Sequence, residues 1–166
     1  MFNHIRALLT GESQPASAKE STRLQIAVAA LLVQAATMDD TFDAAERASI
    51  ERVLAARFSL DGDTVRRLLA AAEDAAERSN QLYSFVRVVV EQLTPQDRVG
   101  IVEMMWEVAY ADGVLDPDED ALLRRVAGLL YVSDYDRGAA RKRVLQRISV
   151  AGRNGAGQDA KAKEGR

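Results

Sequence analysis

The sequence contains no cysteine and only one histidine, His4. The lack of cysteine excludes disulfides, thiolate-bound metal and a catalytic thiol. His4 lies close to a chain end, where residues are commonly mobile, so we do not expect histidine catalysis or histidine-bound zinc. A glycine-rich phosphate loop and a nucleophile–base pair are also missing. We therefore predict that the protein is not an enzyme, and a metal-dependent hydrolase built on carboxylates is the only catalytic alternative.

Long hydrophobic runs are missing as well. The best run, residues 26–36, has 11 residues and is interrupted by Gln34, whereas a membrane span needs about 18 apolar residues. The first residues do not show the basic start, apolar stretch and cleavage site of a secretory signal. We therefore expect a cytoplasmic protein. The excess of 18 arginines over 4 lysines is typical of a bacterium with a GC-rich genome.

Aromatic residues and prolines are scarce, at 5% of the chain and 3 residues respectively, while 48% of the residues are hydrophobic. Alanine and leucine dominate, and both favour helix over strand. We therefore predict an all-α protein: a single bundle of seven to eight helices. We expect an N-terminal helix and linker over residues 1–17, a helical domain over residues 18–149 and a disordered basic tail over residues 150–166.

Apolar spacing and capping residues predict where the helices lie. The valine-rich stretch from Leu82 to Leu93 could be a strand by propensity, but its 3–4 spacing favours a helix. Thr94 is a helix cap because proline follows it at the first helical position. The predicted helices cover residues 2–9, 18–38, a third helix opened by Asp43, a fourth after Gly62, residues 82–93, 95–111, 117–130 and 134–149.

The segment from Ala36 to Asp63 is repeated 73 residues later, from Ala109 to Asp136. Most of the shared residues are acidic, although a repeat kept only for folding would mainly retain apolar positions. The repeat predicts two pseudo-symmetric halves, each a helix, an acidic loop and a helix. The identical pairs are Ala36/Ala109, Asp39/Asp112, Asp43/Asp116, Glu46/Glu119, Ala48/Ala121, Arg52/Arg125, Val53/Val126, Asp61/Asp134 and Asp63/Asp136.

Each half carries an acidic triplet, and the six carboxylates are the candidate metal ligands. Four of them also fit helix capping, because an aspartate at the N-cap and a glutamate three residues later form a capping box. Hard cations such as Ca²⁺ prefer the oxygen ligands that such triplets offer. The candidates are Asp39, Asp43 and Glu46 in the first half and Asp112, Asp116 and Glu119 in the second.

Capping does not explain Asp39 and Asp112. Each is predicted at the C-terminal end of a helix, where the negative end of the dipole opposes a carboxylate by about 0.3–1 kcal/mol. The partner could be an arginine, such as Arg52 or Arg125, or a divalent ion (Ca²⁺, Mg²⁺, Mn²⁺ or Zn²⁺). The second loop is the better candidate because Gly113 follows its aspartate and makes the turn easily.

Charge is distributed unevenly along the chain. Residues 1–136 hold 13 Lys/Arg and 23 Asp/Glu, a net charge of −10, and residues 137–166 hold 9 Lys/Arg and 2 Asp/Glu, a net charge of +7. The basic end could contact an anionic membrane surface, nucleic acid or the acidic body of the protein itself. Nucleic acid is disfavoured because the run from Arg141 to Arg147 contains no aromatic residue on which a base could stack.

With the helices and acidic loops placed, the chain resembles the TerB-like tellurite-resistance family over about residues 18–148. The most specific stretch is residues 104–119, MMWEVAYADGVLDPDE, which is similar to the family's apolar helix ending in Ala-Asp-Gly followed by an Asp-x-x-Glu helix start. The resemblance implies an all-helical fold of two similar halves, acidic residues that bind divalent metal, and a link to tellurite stress. A related domain occurs in membrane-anchored J-domain co-chaperones, but a co-chaperone role is not expected because the chain shows no J domain.

Composition, repeat and resemblance together predict a non-enzymatic stress-response module. It would bind divalent metal through the paired acidic loops and act with other proteins in a complex. The alternative is a purely structural protein–protein scaffold whose acidic residues serve only as helix caps.

Overall fold

The computed structural model describes residues 15–37, 44–78, 82–111, 115 and 117–163, with side chains described from Ser21 to Ala151. In these ranges the chain forms seven α-helices and no strand, which confirms the all-α prediction. The helices are α1 Pro15–Ala36, α2 Ala44–Phe58, α3 Gly62–Arg78, α4 Leu82–Gln92, α5 Pro95–Ala109, α6 Pro117–Leu129 and α7 Asp134–Lys163.

Most helix bounds agree with the sequence prediction within about three residues, and α4 is a helix rather than the strand that its valines could have formed. The predicted helix over residues 2–9 lies outside the described residues. The largest difference is at the end of α7, which continues to Lys163 rather than stopping near Ser149. Residues 151–163 contain three glycines and no apolar periodicity, so no local pattern predicts this extension.

Helices α1 and α5 form the centre of the bundle. All residues from 27 to 33 in α1 and from 100 to 106 in α5 are buried, whereas a surface helix buries only one face. Helix α1 packs against α2, α3, α4, α5 and α6, and α5 packs against α1, α2, α6 and α7. The repeat pairs the last residues of these two helices, Ala36 and Ala109. Each acidic loop therefore follows a central helix.

Helix α7 is attached differently from the others. It packs mainly against α5, and between residues 134 and 151 only Ala140 and Val144 are buried. Two small or medium side chains bury little apolar surface, so hydrophobic contact alone holds this helix weakly. Its attachment must therefore rest partly on polar contacts with α5.

Helices α2 and α6 end in the same way, which extends the similarity between the halves. Ser59 and Tyr131 have positive φ angles of 53° and 57°. The next residues donate backbone hydrogen bonds five residues back, from Leu60 to Ala55 at 3.3 Å and from Val132 to Ala127 at 2.9 Å. This is the Schellman type of helix end, in which glycine usually holds the left-handed position. The predicted pseudo-twofold relation between the halves stays a prediction.

Replacing Tyr131 with glycine should stabilise the protein. The left-handed conformation costs a non-glycine residue about 1–2 kcal/mol, and Tyr131 is 77% exposed, so little packing is lost. After the greater unfolded-state entropy of glycine is subtracted, we expect a gain of about 0.5–1 kcal/mol. Thermal unfolding would measure it as a rise of about 1–4 °C.

Tyr135 provides the matched control for this substitution. It is equally exposed, at 83%, but lies in the first turn of α7, where glycine is the poorer helix former. Tyr135→Gly should therefore lower the melting temperature. A decrease for both variants would show that the Tyr131 side chain contributes more than its backbone conformation costs.

Candidate functional site

The structure describes two of the six predicted metal ligands. Glu46 and Glu119 are partly buried and occupy the third position of α2 and α6. The other four, Asp39, Asp43, Asp112 and Asp116, lie outside the described residues. Within the ranges that are described, no group of three or more His, Cys, Asp or Glu side chains could hold a metal ion. The metal site therefore stays a prediction.

The helix bounds agree with the capping interpretation of the triplets. Helix α2 begins at Ala44 and α6 begins at Pro117, one residue after Asp43 and Asp116 in the sequence. Glu46 and Glu119 are then at the N3 position, as a capping box requires. They also place negative charge in the first turn, where the helix dipole favours it.

Three other helices show how this chain caps its helices. The Thr94 hydroxyl accepts a hydrogen bond from the Asp97 backbone N–H at 3.3 Å, which confirms the predicted cap of α5. The Ser133 hydroxyl accepts one from the Asp136 backbone N–H at 3.1 Å. Asp61 accepts from the backbone N–H of Thr64 at 2.8 Å. Hydrogen bonds from the Thr64 backbone and hydroxyl lower the pKa of the Asp61 carboxyl, because they stabilise its charged form.

A cluster of two glutamates and three arginines joins α5 to α2 and α7. Glu103 is buried although it is charged, with its side chain only 5% exposed. Arg143 donates from Nε to Glu103 Oε1 at 2.5 Å, and Arg147 donates to Glu103 Oε2 from Nη1 at 3.1 Å and from Nη2 at 3.2 Å. Arg57 forms a further ion pair with Oε2 at 3.6 Å.

Glu107, one helical turn after Glu103, completes this glutamate–arginine cluster. Its Oε1 accepts hydrogen bonds from Arg57 Nη2 and from Arg147 Nη2, both at 2.5 Å. Three guanidinium groups thus surround two carboxylates, which leaves one positive charge in excess. A buried carboxylate is tolerated only when it is paired and hydrogen-bonded, and both conditions hold for Glu103. The cluster supplies the polar attachment that α7 needs.

The repeat does not extend to this cluster. The 73-residue shift pairs Glu103 with Ala30 and Glu107 with Gln34, and Ala30 is a fully buried core residue of α1. The cluster is therefore a feature of the second half only. Sequence reasoning did not single out Glu103 or Glu107. The available signal was a glutamate inside the apolar run 101–106, with a second glutamate four residues later.

The basic run of α7 contacts the protein's own acidic groups. Sequence alone left open an anionic membrane surface, nucleic acid and the acidic body as partners of this run. Arg143 and Arg147 pair with the glutamates of α5, and Arg137 pairs with Asp134 at 3.1 Å. These three arginines therefore form ion pairs within the molecule, while contact of residues 137–166 with an anionic membrane surface stays a prediction.

Arg141 lies over an aromatic pair at the end of α5. The rings of Trp106 and Tyr110 stack with centroids 5.7 Å apart. The Arg141 guanidinium lies 5.2 Å from the Trp106 ring centroid, and its Nε donates to the Tyr110 hydroxyl at 2.6 Å. Trp106 is buried, and its indole nitrogen has no hydrogen-bond partner among the described residues. Trp106 is therefore a core residue, while Tyr110 reaches the surface.

A groove of about 560 Å³ lies beside the cluster, between α2, α5 and α7. We call it the arginine groove because three arginines line it, together with a single carboxylate, that of Glu107. Its end is close in sequence to the second acidic loop, since Ala111 lines the groove and Asp112 is the next residue. The full lining is Arg52, Val53, Ala56, Arg57, Glu107, Tyr110, Ala111, Val144, Arg147, Ile148 and Ala151.

No helix in the described ranges has both the length and the apolar character required to cross a membrane.

Among protein families, the model described as "Tellurite resistance protein TerB" matches residues 25–142. That range contains α1 from Gln25 onward, all of α5 and both acidic triplets, and it ends one residue before Arg143. The comparisons with curated proteins and with solved structures give no match.

Proposed function

The chain belongs to the TerB tellurite-resistance family, and on that premise we propose that it is a non-enzymatic stress-response module that binds a divalent metal ion through its acidic loops and acts in a protein complex. The observation that carries the proposal is the family match over residues 25–142, which includes both triplets. The twofold occurrence of Asp39 and Asp112 at positions that capping does not explain adds to it.

The chemistry of the donors limits which ion would bind. The six candidate ligands are all carboxylates, and the carbonyl groups at the ends of α1 and α5 would add further oxygens. Such a set suits hard cations such as Ca²⁺ and Mg²⁺, and Mn²⁺ to a similar degree. It suits Zn²⁺ less, because zinc sites in proteins commonly use histidine or cysteine. The ion would supply positive charge that fixes each loop between its two helices.

The second candidate is a structural protein–protein scaffold in which the acidic residues only cap helices. The starts of α2 and α6, each one residue after an aspartate, favour it specifically. Both candidates predict stabilising roles for Asp43 and Asp116. They differ in whether the negative charge itself is needed.

Substitution of Asp39 and Asp112 by asparagine separates the two candidates, because asparagine has nearly the shape of aspartate but carries no charge for a metal, and neither residue is explained as a helix cap. With metal binding, Ca²⁺, Mg²⁺ or Mn²⁺ at 100 times its Kd should stabilise the wild type by about 2.7 kcal/mol over EDTA. The double variant Asp39→Asn with Asp112→Asn should lose this shift. Thermal melts in EDTA and in each ion, with Zn²⁺ as a fourth, measure it.

Two controls complete this experiment. Asp74→Asn, at an exposed position on α3, should keep the full metal-induced shift. Asp43→Ala with Asp116→Ala should lower stability in EDTA by about 1 kcal/mol for each lost cap. The absence of a shift with every ion, or a shift that survives the two asparagine substitutions, would leave the structural scaffold as the function of the loops.

A further inference from the structure

The apolar part of the arginine groove's lining, which we call its floor, comes from two helices. Helix α2 contributes Val53 and Ala56, three residues apart, and α7 contributes Val144, Ile148 and Ala151 at spacings of four and three. Residues at these spacings lie on one face of a helix. The stretch from Val144 to Ala151 covers about 10 Å of helix axis. The floor therefore has the length of about two helical turns.

The rim of the groove is positively charged. Arg52, Arg57 and Arg147 line it together with one carboxylate, that of Glu107. Arg57 and Arg147 also pair with Glu103 and Glu107. When Arg143 of the cluster is included, four arginines stand against two glutamates, which leaves a net charge of +2. Arg57 and Arg147 are held in place by the glutamate–arginine cluster, so their guanidinium groups are positioned before any ligand arrives. Arg52 is exposed and hydrogen-bonds Ser49 within its own helix. An occupant that carries negative charge beside an apolar face would complement both floor and rim.

We propose that the arginine groove binds an amphipathic α-helix of about two turns from a partner protein, with apolar residues facing the floor and acidic residues facing Arg52, Arg57 and Arg147. In helix-in-groove recognition, the bound helix places apolar side chains at helical spacing into an apolar groove. The apolar floor between α2 and α7 offers a surface for such side chains. Concavity argues against a membrane, because a lipid surface is flat on this scale. Tyr110 is the one aromatic residue in the lining, and its ring already stacks on Trp106, which argues against stacked nucleic-acid bases.

This inference rests on the proposed action in a protein complex and names the kind of partner. It does not depend on the metal. The groove lies among described residues, whereas four of the six candidate metal ligands lie outside them. Binding measured both in EDTA and in Ca²⁺ therefore separates failure of the groove from failure of the acidic loops.

The test uses the full chain and a fluorescein-labelled synthetic peptide of about four helical turns, with leucines at i, i+3, i+4 and i+7, glutamates on the flanks and alanine elsewhere. Fluorescence polarisation should show saturable binding that weakens as NaCl rises from 50 to 500 mM. Arg52→Glu and Ile148→Glu should each weaken binding at least tenfold. Both side chains are exposed, so neither variant is expected to unfold.

Matched controls show whether the groove itself is responsible. Leu145 is as exposed as Ile148, at 41% against 43%, and is not part of the lining, so Leu145→Glu should bind as the wild type does. Arg78→Glu, on the exposed end of α3, should also bind normally. A peptide with lysine in place of glutamate should bind at least tenfold more weakly.

Three results would overturn the proposal. The first is equal binding of the acidic and basic peptides, and the second is no loss with Arg52→Glu or Ile148→Glu. The third result combines two observations. The peptide does not bind in EDTA or in Ca²⁺, and the protein sediments with phosphatidylglycerol vesicles unless Arg52 is replaced by glutamate. The partner of the groove would then be a membrane. Peptide binding that is retained while the ions cause no thermal shift would support the groove and count only against the metal site.

Discussion

Replacing Glu103 with glutamine should lower the stability of the protein by about 2–3 kcal/mol, because Arg143 then loses its carboxylate partner and Arg57 and Arg147 keep only Glu107. Removal of one partner from a buried ion pair commonly costs about 3–5 kcal/mol. We expect less here, since the side chains of Arg143 and Arg147 are 47% and 46% exposed and water can partly solvate them. Chemical denaturation measures the change, and the melting temperature should fall by about 4–12 °C.

Glu91→Gln is the matched control for this prediction. Glu91 also pairs with an arginine, Arg87, at 2.7 Å, but on the exposed face of α4. The Arg87 hydrogen bond lowers the pKa of the Glu91 carboxyl, yet water and salt screen such surface pairs, so its loss should not measurably change stability. A similarly small effect for Glu103→Gln would mean that packing alone holds α7 against α5.

The second large effect is expected at Trp106. Trp106→Ala should destabilise the protein by about 3–5 kcal/mol, since it leaves a cavity in the centre of the bundle. Trp106→Phe should cost far less, about 1 kcal/mol, because it removes an indole N–H that has no partner among the described residues. A buried N–H without a partner is itself unfavourable by about 1–3 kcal/mol, which offsets part of the lost volume. Equilibrium unfolding of both variants measures the difference.

Tyr110→Phe provides the control for the aromatic pair. It removes the hydroxyl that accepts from Arg141 at 2.6 Å but keeps the ring that stacks on Trp106. Since this hydrogen bond is exposed, the loss should be small, of about 0.5–1 kcal/mol. A cost for Trp106→Phe close to that of Trp106→Ala would show that the indole N–H has an acceptor in a part of the chain outside the described ranges.

Part of the glutamate–arginine cluster lies inside the residues that match the family, and part lies after them. Arg57, Glu103 and Glu107 lie inside the matched residues 25–142, whereas Arg143 and Arg147 lie beyond them. The same two arginines hold α7 to α5, and Arg147 also lines the arginine groove. The feature that attaches α7 therefore also positions part of the groove's positive rim.

Local signals predicted the helices well, because capping and periodicity act over only a few residues. Thr94 with Pro95 and Ser133 with Asp136 mark two helix starts that the hydrogen bonds confirm. We did not anticipate that the structural correspondence between the two halves differs by one residue from the 73-residue shift at these helix starts. Asp61 caps α3, whereas its counterpart Asp134 is the first residue of α7 and Ser133 is the cap. Identical residues at a fixed shift need not have the same structural role.

The all-helical class, most of the helix starts and membership of the TerB family follow from the amino-acid sequence alone, because composition, caps and motif spacing are local properties of the chain. The ion-pair partners of the basic residues in α7 depend instead on how the helices pack. Arg143 and Arg147 lie about 40 residues from Glu103 and Glu107, and no local pattern specifies a pairing over that distance. The packing of α7 on α5 brings these charges together, and with α2 it forms the groove beside them.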